Sequence, residues 1–230
     1  MLHYTFVKTC SRNFTSGRRQ KRAIACSNRL WDNASTLTFS FTKYLSDELA
    51  YRVERIIRQW EPYVSLSFAQ VEPGQGQIRI ALNGDENWSA IGTEALELDP
   101  EAPTLVIQTA AQDPQFEATL LHEFGHALGF HHAHLHPDAN IPWNMEAVYT
   151  HFKDIEGWSN DEIEANIFRL ESCDNSLRGE YDSQSIMHYP VPNFMTYGNF
   201  EIAFNMKLSE RDKRLARQSY PAIVYRAQVI

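Results

Sequence analysis

The sequence predicts a domain of mixed α/β and α+β class: a twisted mixed sheet with helices in the first half, then a largely irregular second half closed by a terminal helix. Three observations predict it. Strand-like and helix-like apolar periods alternate between residues 37 and 129, the order expected of an α/β sheet. From residue 131 to 205 that periodicity gives way to clustered turn-forming residues. Residues 209–220 then read as a capped helix stopped by Pro221.

The elements follow in order. Alternation in Leu37-Thr38-Phe39-Ser40-Phe41 predicts a strand, and Leu49, Val53, Ile56, Ile57 and Trp60 fall at helical spacing over 47–60, with Ser46 as N-cap. Strands are predicted at 66–71 and 78–82, separated by Pro73-Gly74-Gln75-Gly76, which turns the chain. The segment Trp88-Ser89-Ala90-Ile91-Gly92 precedes a loop with Pro100 and Pro103, and residues 104–108 form the next strand. A helix is expected over 114–129. One short helix, near 160–170, interrupts the irregular stretch. Residues 1–22 show no apolar period and end in the basic run Arg18-Arg19-Gln20-Lys21-Arg22, so they read as a flexible leader or propeptide-like segment before a domain at 23–230.

Composition narrows the function. The chain has 230 residues, 43% hydrophobic, enough for one sizeable core or for two small lobes sharing a cleft. Its formal net charge of -8, with basic residues clustered only in the leader, argues against nucleic acid as a partner. No apolar run approaches the roughly 20 residues that span a bilayer. Residues 1–8 lack the basic start and apolar stretch of a secretory signal. Cys10, Cys26 and Cys173 allow one disulfide at most and leave the redox compartment open.

The chemistry concentrates in His122-Glu123-Phe124-Gly125-His126. Within a helix the two histidines, one turn apart, project from one face and can reach one cation, for which zinc is suited. Glu123, beside the first ligand, can approach a metal-activated water as general base without binding the metal. Gly129 can end the helix in a left-handed conformation and turn the chain so that His132 arrives as third ligand. Three histidines with one open position describe a catalytic site, because a structural zinc site is closed by a fourth protein ligand. The competing reading of the pattern is a helix that carries histidines for packing or metal storage. His131, His134 and His136 crowd the third ligand; a regular turn at Gly129 would direct them to solvent as nonligands.

The full pattern H-E-x-x-H-x-x-G-x-x-H, followed by Ser185-Ile186-Met187-His188-Tyr189, resembles the metzincin metalloproteases, and the second segment resembles the astacin family in particular. Trp88-Ser89-Ala90-Ile91-Gly92 is similar to the family's segment near its substrate-binding edge strand, and Asn140-Ile141-Pro142-Trp143 is similar to microbial members. The resemblance implies a two-lobed fold, with an upper lobe over about 23–130, a lower lobe over about 131–230 and a cleft between. It places Met187 beneath the metal and makes Tyr189 a switchable further ligand that swings away to stabilise the oxyanion. His188 is then structural.

On this resemblance the expected activity is zinc-dependent endopeptidase action, with one zinc ion per chain. Glu123 takes a proton from the attacking water and passes it to the leaving amine, and Tyr189 donates to the tetrahedral oxyanion. The substrate is a polypeptide bound extended, by addition to the sheet edge around 88–97, and the chain acts as a monomer. The family's usual location is extracellular. Two departures stand out: Ala133 replaces the glutamate that normally follows the third histidine and anchors the mature N-terminus, and three cysteines cannot build the family's two disulfides. Arg19-Gln20-Lys21-Arg22 resembles a processing site whose cleavage would expose Ala23; the alternative is a solvated basic tail. Cys10 is a candidate latency ligand that would fill the open metal position. A noncatalytic binding module and an intracellular effector protease are the competing functional classes.

Overall fold

The computed structural model describes residues 8–9, 25–169, 176–177 and 179–222. The processing site at Arg22, Cys10 and Cys173 lie outside the described residues. Cys26 is disulfide-bonded.

The sheet has strands β1 (Lys8–Thr9), β3 (Thr36–Phe41), β4 (Ser67–Gln70), β5 (Ile78–Leu82), β6 (Trp88–Ser89) and β7 (Leu105–Ile107), in the order β1-β6-β7-β5-β3-β4. Pairing is parallel among β3, β4, β5 and β7, while β6 runs antiparallel to β7. On its other edge β6 pairs in parallel with β1, Lys8 opposite Trp88 and Thr9 opposite Ser89. A separate antiparallel pair joins β2 (Ala25–Cys26) to β8 (Ser176–Leu177).

Two helices lie against the sheet. Helix α1 (Asp47–Ile57) starts at Ser46, whose hydroxyl accepts from the Leu49 amide, and continues as a 3-10 turn, Arg58–Tyr63, that buries Trp60. Helix α2 (Phe116–Ala127) is buried over nearly its whole length. Leu37, Phe39, Ile56, Trp60, Ile78, Leu105 and Phe124 form the main core around it. Burying each of these large side chains contributes about 1.5–3 kcal/mol, so α2 is fixed by packing rather than by exposed-face interactions.

The second half is less irregular than its sequence suggests. A ten-residue helix, α3 (Met145–Asp154), begins at Asn144, whose side chain accepts from the Ala147 amide. Helix α4 (Asn160–Ile163) passes directly into a π turn, Glu164–Phe168. These elements enclose a second core of Val148, Phe152, Trp158, Ile163, Ile167, Tyr189 and Met195. Helix α5 (Glu210–Ser219) carries the predicted cap, a box in which Ser209 and Asp212 exchange hydrogen bonds. Among the described residues no helix is long and apolar enough to cross a membrane.

Candidate active site

Helix α2 ends where the sequence predicts a turn. Gly129 has φ +95°, its amide donates to the His126 carbonyl at 2.7 Å, and the Phe130 amide donates to the Gly125 carbonyl at 3.0 Å. This is the paired bonding of a Schellman end, which needs a left-handed residue at Gly129. The last carbonyls of the helix find distant donors. Trp31 Nε1 donates to the Ala127 carbonyl at 2.7 Å and the Tyr220 hydroxyl to that of Leu128 at 2.6 Å. Trp31 and Tyr220, 189 positions apart in the chain, thus both hold the helix that carries His122, Glu123 and His126.

Those three residues and His132 come together. His122 and His126 approach Nε2 to Nε2 at 3.1 Å, and His126 and His132 at 3.0 Å. The three ligand atoms lie within 4.8 Å of one another, the spacing of a group that could hold a metal ion. The tautomers fit that role. His122 Nδ1 lies 2.7 Å from the Ile186 carbonyl and His126 Nδ1 lies 2.6 Å from the Phe130 carbonyl. A carbonyl only accepts, so both Nδ1 atoms carry the proton and both Nε2 atoms present lone pairs. Between His122 and His126 two lone pairs face each other at hydrogen-bond distance with no proton between them, the arrangement a cation relieves. Burial also lowers the pKa of His122 to about 4 and those of His126 and His132 well below the usual histidine range, which keeps all three in the neutral, metal-binding form.

Glu123 is fully buried, and neither carboxyl oxygen has a hydrogen-bond partner among the described residues. Burial pushes its pKa well above the usual carboxylate range. A buried carboxyl without a partner is costly unless a water, a cation or a substrate group completes it.

The segment Ser185-Ile186-Met187-His188-Tyr189 lies beneath and beside this cluster. The Ala133 amide donates to the Met187 carbonyl at 2.9 Å, tying the His132 turn to it. Met187 belongs to the main core and Tyr189 to the second one, so the segment stitches the two together. The Tyr189 ring stands 4.1 Å from that of His132, centroid to centroid. His188 Nδ1 donates to the Tyr189 carbonyl at 2.6 Å, leaving its Nε2 to accept from the Tyr181 hydroxyl at 3.1 Å.

Sequence reasoning overlooked Asp212. Besides capping α5, its carboxyl accepts from the Ser185 hydroxyl and from the Ile186 amide, the latter at 2.8 Å. The Ser209–Asp212 capping pattern was the available signal, but it predicts a helix start and not a contact with a segment 26 residues away. The expectation that His131, His134 and His136 face solvent is corrected: all three are buried, at 6%, 4% and 8% exposure. Residues 130–134 are packed inside the protein, with His134 Nε2 against the Asn166 carbonyl at 2.9 Å and His136 Nε2 against the Gly179 carbonyl at 3.2 Å, before the chain reaches the surface at Pro137 and Asp138. None of His131, His134 and His136 joins the cluster of His122, His126 and His132.

Similarity to known proteins agrees with this geometry. The sequence profile of the astacin peptidase family matches residues 23–211. Zinc metalloproteinase nas-39 of Caenorhabditis elegans is 25% identical over 237 residues, which cover 94% of this chain but 24% of that protein. The chain spans between about a quarter and under half of the curated relatives it matches. Among solved structures, myroilysin superposes with a TM-score of 0.80 at 31% identity, over 87% of this chain and 99% of that one. A hatching enzyme zinc-protease of Oryzias latipes shares the fold, with a TM-score of 0.60 at 17% identity, over 87% of this chain and 100% of that one. The chain belongs to the astacin family of peptidases.

Proposed function

We propose that this chain is a zinc-dependent metalloendopeptidase that hydrolyses peptide bonds in polypeptides, with one zinc ion held by His122, His126 and His132. The observation that carries this reading is the meeting of three Nε2 atoms, two of them fixed as lone-pair donors by carbonyl acceptors on Nδ1, together with the buried carboxyl of Glu123, which has no hydrogen-bond partner among the described residues. Zinc bound there supplies Lewis acidity, which polarises a carbonyl and brings the pKa of water towards roughly 7.

The chain's own groups do the rest. Glu123, next to the His122 ligand, takes the proton of the attacking water and delivers it to the leaving amine. Its raised pKa describes the metal-free carboxyl; a nearby cation favours the ionised form that a base requires. The Tyr189 hydroxyl donates to the tetrahedral oxyanion, a contribution of roughly 2.7–4 kcal/mol for donors of this kind. In the resting site it is a candidate further ligand. Gly129 and Met187 are structural, one turning the chain and the other packing beneath α2.

An extended substrate adds to the edge of β6 that β1 covers, at Trp88–Ser89; the rest of the 88–97 segment expected to form that edge is instead a 3-10 helix, Gly92–Leu96. The pairing of Lys8–Thr9 with Trp88–Ser89 supports this, because there a segment of the chain already takes the added strand's place. Cleavage after Arg22 would remove β1 and bare that edge, which makes residues 1–22 a leader and residues 23–230 the mature catalytic domain, acting as a monomer.

The test is cleavage of denatured casein by the purified chain, before and after trimming at Arg22, beside Glu123→Ala, with zinc measured in each. The reading expects zinc in both proteins and cleavage only with Glu123 present. Zinc in both and cleavage by neither would favour a noncatalytic binding module; no zinc in either would overturn the assignment.

A further inference from the structure

His134 lies two residues beyond the third histidine of the cluster, is 4% exposed, and takes no part in the steps above. Its ring lies flat on that of Tyr189, at 4.6 Å between centroids and 15° between planes. A fixed flat face beside a phenol limits how the phenol can tilt while letting it slide in its own plane. His134 is itself held from outside the site. Its Nε2 donates to the Asn166 carbonyl at 2.9 Å, and Asn166 sits in the π turn Glu164–Phe168. The Asn166 side chain donates in turn to the Glu162 carbonyl at 2.8 Å. Since a carbonyl only accepts, the bond fixes the His134 tautomer as well as its plane. Irregular helical turns of this type recur at functional sites, and this one holds the ring that stacks on Tyr189.

We propose that His134 is a positioning residue for Tyr189: the π turn of the lower lobe holds the imidazole, and the imidazole holds the phenol in the plane from which it meets the oxyanion. The inference rests on the peptidase reading above. It predicts that His134 acts on the reaction only through Tyr189. The ring face and the Nε2–H bond are separable, because His134→Phe keeps a flat face and loses the donor, whereas His134→Ala loses both.

The experiment is a double-mutant cycle on the purified full chain, assayed after trimming at Arg22, with casein-derived peptides: wild type, His134→Ala, His134→Phe, Tyr189→Phe and the two doubles. Zinc content is measured for each, with Glu123→Ala as the check on the underlying reading. His134→Ala should lower kcat on the order of 10-fold with KM within about twofold and zinc unchanged, and His134→Phe should fall between it and wild type. In the Tyr189→Phe background the same His134 changes should alter kcat by less than about twofold.

A second readout does not depend on turnover. The Tyr189 ring resonances, assigned by their absence in Tyr189→Phe, should shift and flip faster in His134→Ala. Equal losses in both backgrounds, unmoved Tyr189 resonances, or zinc loss in every His134 variant would make His134 a structural residue and overturn the proposal. A wild type that fails to cleave, like Glu123→Ala, would instead fail the peptidase reading, and the resonances alone would then decide the contact between the rings.

Discussion

The sulfur of Met187 packs against the bare Cα of Gly125, so closely that a Cβ built on the glycine would collide with Sδ. The helix that bears both His122 and His126 therefore rests on the methionine of a distant turn, and Trp60, in the 3-10 turn after α1, would lie 3.1 Å from the same Cβ. Gly125→Ala should overpack this contact and cost about 1–3 kcal/mol of stability by urea denaturation. Met187→Leu, of similar volume, should cost less than about 1.5 kcal/mol, and Met187→Ala about 2–5 kcal/mol through the cavity it opens.

Gly129 is constrained twice. Its φ of +95° strains any L side chain, and an added Cβ would lie 2.9 Å from Leu30 Cδ2. Gly129→Ala should lose about 1–2 kcal/mol from the backbone alone, and the displaced turn should carry His132 away from His126. The joint measurement is denaturation midpoint and bound zinc, both of which should fall.

Asp212 connects α5 to the Met187 turn by accepting from both the Ser185 hydroxyl and the Ile186 amide. Ile186 in turn supplies the carbonyl that fixes the His122 tautomer. Asp212→Ala strands two buried donors at about 1–3 kcal/mol each. Its second effect should be weaker zinc retention in competition with a chelator, although the residue touches no ligand. Ser209→Ala, which removes only the helix cap, should cost about 0.5–2 kcal/mol and leave zinc retention unchanged.

Acid should destabilise the metal-free chain in a defined window. Burial lowers the pKa of His131 and of His188 to about 4 in the folded chain, against about 6.5 when unfolded. Between those values the unfolded chain binds more protons, so the stability is fully present above about pH 6.5 and is lost as pH falls towards about 4. Urea titrations near pH 5 should give a slope approaching 1.4 kcal/mol per pH unit for each histidine. His188→Gln should remove one such contribution; an unchanged slope would contradict the burial account.

The elements legible in the sequence are those whose signals are local. Ser46 and Ser209 cap the helices they precede, Gly129 ends α2, and the alternation at β3 and β5 marks strands buried in the main core. Helix α3 was not legible, although Met145, Val148, Tyr149 and Phe152 have helical spacing. Its run of Val148, Tyr149, Thr150, His151 and Phe152 has weak helix preference, and the helix is secured by packing Val148 and Phe152 into a core whose other members lie far along the chain. The burial of His134 was hidden for the same reason: its neighbours are the π turn and Tyr189, and no local period predicts either. The cluster of His122, His126 and His132 was legible because i and i+4 on a helix, then a glycine turn, form a short geometric statement that survives whatever packs around it.

Zinc K-edge absorption on the purified chain trimmed at Arg22 tests the central claim most directly. The account predicts one zinc per chain with three imidazole nitrogens at about 2.0–2.1 Å, oxygen donors completing the shell, and the loss of one nitrogen in His132→Ala. Absence of zinc, a fourth imidazole, or a sulfur shell near roughly 2.3 Å in the trimmed chain would contradict it.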